Sequence, residues 1–300
     1  MTLAVLEFND QSLLIQAVDG PLYSEPGFAR LTADGIETGE PARATNWKEP
    51  QHSYNQHWNQ LNQTPMAAKQ PWARHHADMA FAQLRNLWAG AGSPETLALL
   101  VPGSINDTQL SLLLGMVAAL PADTSAVVDN ALAACLEVGG KTLFVDLHLN
   151  QLVLSVIEPE GQTLQITDQE VFPELGLMQI HNSVARYVSN LLIDSSRFDP
   201  LHDSASEQEI FDQVPGWLER LAWENEVSTA LDTRQGELPF ILRSERVRGL
   251  IGERMANIQS YVARHQGGSM RLSQPSALLQ GLTDVFSDGE VLGRSVGIDH

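Results

Sequence analysis

LAVLEFNDQSLLIQAV, residues 3–18, and TLFVDLHLNQLVLSVIE, residues 142–158, follow one pattern. Each is an apolar strand, a polar turn beside an acidic residue (Glu7 or Asp146) and a second apolar strand. Apolar runs joined by a short polar turn read as β-hairpins. Working outward from the first, residues 27–31 and 35–38 are expected to supply a third strand. Residues 39–75, polar and carrying Pro41, Pro50, Pro65 and Pro71, read as an insertion. Ala77, Ala80, Phe81, Leu84, Leu87 and Trp88 recur at helical spacing, with Asp78 where the helix dipole favours it. LALLV at 97–101 is a buried strand, and a helix over 110–120 is expected to take Asp107 or Thr108 as its cap. A short strand at Val127 and Val128 feeds a helix over 130–137, ended by Gly139 and Gly140.

The second hairpin opens a similar course. A strand is expected at 164–171, a helix at 176–192, a loop at 194–209 and a helix over 207–222 around Pro215. A strand at 238–242, one long helix over 244–263, a strand at 269–273 and a helix at 278–286 follow. Two successive halves, each strand-rich and then helix-rich, indicate a duplicated α/β architecture rather than a single Rossmann sheet.

Bulk properties narrow the function classes. The 300 residues are 43% hydrophobic and 18% charged, as in a well-packed chain of one or two domains. No stretch approaches the ~20 apolar residues that cross a bilayer. The first residues read as a strand, not as a signal peptide, so cytoplasmic residence is expected. A net charge of −19 argues against nucleic-acid partners and gives no help to binding a triphosphate. Cys135 is the single cysteine, which excludes an intramolecular disulfide, and its Ala-rich surroundings make it a small buried hydrophobe. No P-loop, G-x-G-x-x-G, C-x-x-C or H-E-x-x-H motif occurs.

Three ordered segments resemble the ATPase domain of the DnaK-type heat-shock chaperones. In LLVPGSINDTQL, residues 99–110, the matching positions are Val101, Pro102, Asn106, Asp107 and Gln109. In VVDNALAACLEVG, residues 127–139, they are Ala133, Ala134, Leu136 and Gly139. The third segment is the hairpin at 142–158, with Asp146 at the family's acidic position. LPFILRSERVRGLIGER, residues 238–254, is more loosely similar to a strand and Arg-bearing helix of the family's smaller second-lobe subdomain. The resemblance covers residues 1–20 and 97–158, and 238–290 loosely; residues 30–75 and 175–235 have no match. It implies an α/β, two-lobed actin-like ATPase (ribonuclease H-like) fold, duplicated. Lobe I would span 1–140 with the insertion at about 39–75, and lobe II 141–300 with a small subdomain at about 194–263.

In that family the two hairpins face each other, and their glycines let backbone N–H groups approach a triphosphate. Here Asn9, Asp10 and Gln11 follow Glu7, and His148, Leu149 and Asn150 stand where the second hairpin's glycines would be. The carboxylate that positions water falls at Asn130, which cannot act as a base, and the adenosine-side glycines fall at Ser273 and Gln274. The resemblance thus implies a remnant nucleotide cleft of Glu7, Asn9, Gln11, Asp146, His148 and Asn150. Asp146 is the surviving magnesium ligand, and no residue is assigned a catalytic role. The sequence ends at SVGIDH, where a helix closing the hinge would follow in the family. The expected function is a catalytically silent ATPase homologue acting as a protein-interaction or regulatory scaffold. Its partner would be a protein, an active ATPase of the same superfamily, with no nucleic acid or membrane involved. No cofactor is expected, and Mg-ATP only if the site still works. The alternatives are a divergent ATPase or kinase holding phosphate with Asn9, Gln11, Asn150 and Gln151, and a filament-forming actin relative.

Other clusters have ordinary readings. His52, His57, His75 and His76 lack a zinc-ligand spacing and read as solvated polar surface. Asp199, His202, Asp203, Glu207 and Glu209 lie around a Ser204-x-x-Glu207 capping box, although Asp199 and His202 could line a partner contact. Trp47, Tyr54, Trp58 and Trp72 either form a binding face or pin the insertion to its lobe. The arginines from Arg243 to Arg254 read as surface charge on a long helix.

Overall fold

β1 (Leu3–Glu7), β2 (Leu13–Ala17) and β3 (Leu22–Glu25) form an antiparallel meander in the computed structural model, which describes residues 2–66, 70–252, 255–265, 267–277, 289–293 and 298. The third strand is therefore Leu22–Glu25, not residues 27–31 with 35–38. Pro26 and Gly27 turn the chain away from β2. The Gly27 N–H donates to Asp10 O at 2.8 Å, and a Cβ at Gly27 would stand 2.5 Å from that oxygen. The displaced residues build a separate small sheet of β4 (Ala29–Leu31), β5 (Ile36–Thr38) and β6 (Ser53–Tyr54), with helix α1 (Glu40–Arg43) between β5 and β6. Part of the expected insertion is thus ordered sheet.

Helix α2 (His76–Gly90) buries Ala77, Ala80, Leu84 and Leu87, the stripe expected from its periodicity. Asp78 closes its first turn by accepting the N–H groups of Arg74 and His75 at 2.7 and 3.3 Å. β7 (Thr96–Val101) joins β1 in parallel. In helix α3 (Asp107–Val117) the cap is Asn106, not Asp107 or Thr108. Its side chain accepts the Gln109 N–H at 3.0 Å, and Gln109 returns the bond to the Asn106 N–H at 3.1 Å. β8 (Asp123–Asp129) runs parallel to β7 and feeds helix α4 (Asn130–Ala134).

β9 (Thr142–Leu147), β10 (Leu152–Glu160) and β11 (Thr163–Phe172) form a second meander. Helices α5 (Leu177–Ser196) and α6 (Ser204–Leu221, with Pro215 inside) precede the hairpin of β12 (Glu226–Thr233) and β13 (Gly236–Arg243). The loop expected at 194–209 is shorter, because Asp203 rather than Ser204 caps α6. Asp203 Oδ2 accepts the Ser206 N–H at 3.2 Å and the Ser206 hydroxyl at 2.7 Å. The single long helix expected over 244–263 is two helices, α7 (Ser244–Gly252) and α8 (Ala256–Arg264), with buried Met255 outside both. β14 (Ser269–Leu272) lies parallel to β9, and beyond helix α9 (Gln274–Ala277), β15 (Glu290–Val291) lies parallel to β14. The helix expected at 278–286 falls outside the described residues.

The protein is mixed α/β, and its two main sheets share one plan. The orders β3-β2-β1-β7-β8 and β11-β10-β9-β14-β15 both place two parallel strands beyond the first strand of a meander. Each sheet has its own core. Leu6, Leu13, Leu84, Leu99 and Leu113 pack in one, and Leu147, Leu154, Val188, Val214 and Leu231 in the other. Among the described residues no helix is long and apolar enough to cross a membrane.

Candidate functional site

The turns that follow β1 and β9 meet at the seam between the two halves. Asn9 Nδ2 donates to Asp146 Oδ1 at 3.0 Å and to Leu147 O at 3.1 Å. In the other direction, Asp10 Oδ1 accepts the Leu149 N–H at 2.7 Å. His148 stands between the two carboxylates, with Nε2 3.0 Å from Asp146 Oδ2 and Nδ1 3.6 Å from Asp10 Oδ1. These are ion-pair contacts, and Nε2 is not aligned for a hydrogen bond. Asn9, Asp10, Asp146, His148 and Asn150 are all buried, none more than 6% exposed. The backbone fixes the second turn from below. Gly176 lies so close that a Cβ would stand 2.2 Å from the Asn150 carbonyl carbon, and the first N–H groups of α5 donate to His148 O and Leu149 O. That helix end, which would otherwise attract an anion, is occupied by the turn's own carbonyls.

Electrostatics make this group a fixed charge pair. Burial alone would lower the His148 value, but Asp146 and Asp10 lift it to about 10. For Asp146, burial works upward, yet the imidazolium and the Asn9 hydrogen bond hold it below the ordinary carboxylate range. Glu7, next along β1, is pushed to about 8 by burial and by Asp146, with His148 partly offsetting them. Burial also raises Asp129, the cap of α4, to about 6 against the N–H it accepts from Ala131. His148 therefore keeps its proton through neutral pH and cannot serve as a base there, whereas Glu7 is largely neutral.

The structure gathers some of the expected site residues and separates others. Glu7, Asn9 and Gln11 line a cavity of about 290 Å3 with Asn130, Ser273 and Gln274. Asp146 and His148 lie behind Asn9, outside that lining. Asn150 turns the other way and donates to Asn55 O at 2.6 Å. Asp10, not among the expected site residues, is a full member of the network. The pairing of an acid in one turn with a histidine in the other was its only signal in the sequence.

A second set of contacts joins the halves away from the turns. Trp47 stacks on Phe211 of α6 with ring centroids 3.8 Å apart and planes 11° from parallel. Gln208 accepts the Trp47 N–H at 3.0 Å and donates to Arg43 O at 3.1 Å, and Arg43 lies 3.7 Å from Asp212. Trp58 donates to Gln83 at 2.8 Å and packs 5.3 Å from Phe8. Trp47 and Trp58 therefore pin the irregular segment; Trp72 is 36% exposed.

The histidine reading needs correction at His57, which is fully buried rather than solvated. Its Nε2 meets Gln83 Oε1 at 3.0 Å, and burial lowers its pKa to about 4 despite that bond. Among the described residues no group of three or more His, Cys, Asp or Glu is placed to hold a metal ion. Asp199 caps its own turn through the Leu201 N–H at 3.0 Å, while His202 is exposed. Arg243, Arg246 and Arg248 are surface residues, and Cys135 is buried.

No protein-family model matches the chain, and no curated protein matches it in sequence.

The raised Glu7 carboxyl gives a direct test of the seam's electrostatics. Its folded value, about 8, exceeds the ordinary 4.5. Its contribution is therefore fully present below pH 4.5 and is lost as pH rises through about 8. Glu7→Gln removes that loss. With allowance for partial solvent screening, it is expected to raise stability at pH 8 by on the order of 1–2 kcal/mol and to leave pH 4.5 nearly unchanged. Urea unfolding at the two pH values checks this, and equal effects at both would show that Glu7 ionises freely.

Proposed function

We propose that the chain is a catalytically silent homologue of the actin-like and heat-shock-chaperone ATPases, with two lobes from a duplicated ribonuclease H-like unit, acting as a protein-interaction or regulatory scaffold. The shared strand order of the two main sheets supports the fold. One observation carries the silence: the turns that grip phosphate in that family are here filled by side chains bonded to each other. Asn9 holds Asp146, Asp10 holds Leu149, and the His148 imidazole occupies the gap.

Mg-ATP does not fit these residues. Asp146 is engaged by Asn9 and His148, and so is not free to hold the waters of a magnesium ion. No Lys, Arg or His lines the neighbouring cavity among the described residues, whereas Glu7 and Glu219 do. Among the described residues a triphosphate would meet the Glu219 carboxylate and no cation there. The Trp47–Phe211 stack and the Gln208 bonds hold the halves together without a nucleotide between them. Such a rigid body suits binding through its surface better than a cycle of opening and closing. By fold analogy alone, the partner is an active ATPase of the same superfamily.

Calorimetric titration with ATP and magnesium, then with ADP, tests this reading. No heat of binding up to millimolar nucleotide is expected. Micromolar affinity would overturn it, and turnover by wild type but not by Asp146→Ala would establish an ATPase.

A further inference from the structure

The cavity at the seam contains a group that a purely structural role leaves unexplained. Asn130 opens α4, lines the cavity and is 5% exposed. Neither the nitrogen nor the oxygen of its carboxamide has a hydrogen-bond partner among the described residues. Buried polar side chains are nearly always matched, so an unmatched amide beside a cavity asks what it is kept for. Two neighbouring polar side chains are already engaged. Asp129 accepts the Ala131 N–H at 2.7 Å, and the Asn9 amide is bonded to Asp146 and Leu147.

The walls define the chemistry that would satisfy Asn130. Leu14, Phe144 and Leu292 make an apolar side, and Glu7 and Glu219 are acidic. With no basic lining residue described, an anion gains nothing there. A carboxamide presents a donor and an acceptor side by side, and another amide edge meets both at once. The terminal torsion of asparagine is soft, so the group can turn toward a ligand within its broad well. At about 290 Å3 the cavity is at the small end of ligand sites, which begin near ~300 Å3.

We propose that this cavity binds a small neutral molecule carrying an amide edge, a lactam or primary carboxamide, clasped by the side chain of Asn130. The proposal stands on Asn130 and the cavity walls, independently of the fate of the ATPase reading.

The test uses the full chain with asparagine-selective 15N labelling, following the Asn130 side-chain NH2 signals by NMR. The probes are nicotinamide, uracil and 2-pyrrolidinone at millimolar concentration, with AMP as the anionic control. At least one neutral probe is expected to shift these signals saturably, while AMP leaves them in place. Asn130→Leu, close in shape, should weaken that probe by about tenfold or more and raise the melting temperature, because the unmatched amide is gone. Asn130→Asp keeps the shape but removes the donor, and should weaken it as well. Unmoved Asn130 signals with all three probes would overturn the proposal. So would undiminished binding by both variants, or AMP binding as well as the neutral probes. Nucleotide titration is scored separately, so failure here is distinguishable from failure of the scaffold reading.

Discussion

His148→Ala is expected to lower the stability of the protein by about 3–5 kcal/mol near neutral pH, the usual cost of removing one member of a buried charge network. The imidazole is 2% exposed and stands between Asp10 and Asp146, themselves 6% and 5% exposed. Without it, two carboxylates face each other across the seam, held by the Leu149 N–H, the Asn9 amide and the Ser273 hydroxyl. The pH dependence separates charge from shape. The folded His148 value is raised from 6.5 to about 10. Its stabilisation is therefore complete below pH 6.5 and lost as pH rises through about 10. The Asp146 value is depressed, so its contribution is present above the ordinary 3.8 and lost as pH falls below it. The deficit of the variant should be largest between those limits and shrink toward pH 10, read from urea midpoints across the range. A deficit that does not change with pH would mean that the imidazole merely fills space.

The same group explains why the two hairpins could be found in the sequence while their relation could not. Alternating apolar residues and a polar turn are local features, so β1, β2, β9 and β10 were legible, and so was the helical stripe from Ala77 to Leu87. Choices among equivalent local signals were not. Asn106, Asp107 and Thr108 all suit a cap, and the reach of Gln109 back to the Asn106 N–H decides for the first. Ser204 and Asp203 both suit the next cap, and the Asp203 carboxylate wins by taking two bonds from Ser206. β3 escaped notice because LYSE is weakly apolar, and Gly27 beside Asp10 O excludes the alternative that the sequence favoured.

Long-range partners left no local trace. His57 looked solvated amid Asn and Gln, yet its partner Gln83 lies 26 positions away on α2. Within the candidate site, Glu7 was legible as a kept acidic position of a family pattern and Asn9, Gln11, Asn130, Ser273 and Gln274 as departures from it, and the fold brings them to one cavity. That Asp146 and His148 would be walled off behind Asn9 depends on a bond spanning 137 positions, beyond what any local pattern encodes.

Trp47→Ala is expected to loosen the upper contact between the halves while leaving the turns intact. Full truncation of a core Trp costs about 3–5 kcal/mol, and partial exposure should bring this case to about 2–3 kcal/mol. The indole packs on Phe211 at 3.8 Å and approaches Phe28 at 6.2 Å. Its loss would enlarge an existing cavity of about 530 Å3 that Trp47, Phe28 and Phe211 line. The bond from the Trp47 N–H to Gln208 belongs to the backbone and can persist, so the change tests the stack rather than the whole contact. Hydrogen exchange provides the discriminating measurement. Amides of residues 40–54 and of α6 should exchange faster, while those of β1, β2, β9 and β10 stay protected. A uniform loss of protection would mean that Trp47 supports global stability without clamping the halves. Unchanged exchange throughout would mean that the Asp10–His148–Asp146 group alone holds them. The predicted pattern, loose at Trp47 and fixed at the turns, requires two separable fasteners between the halves.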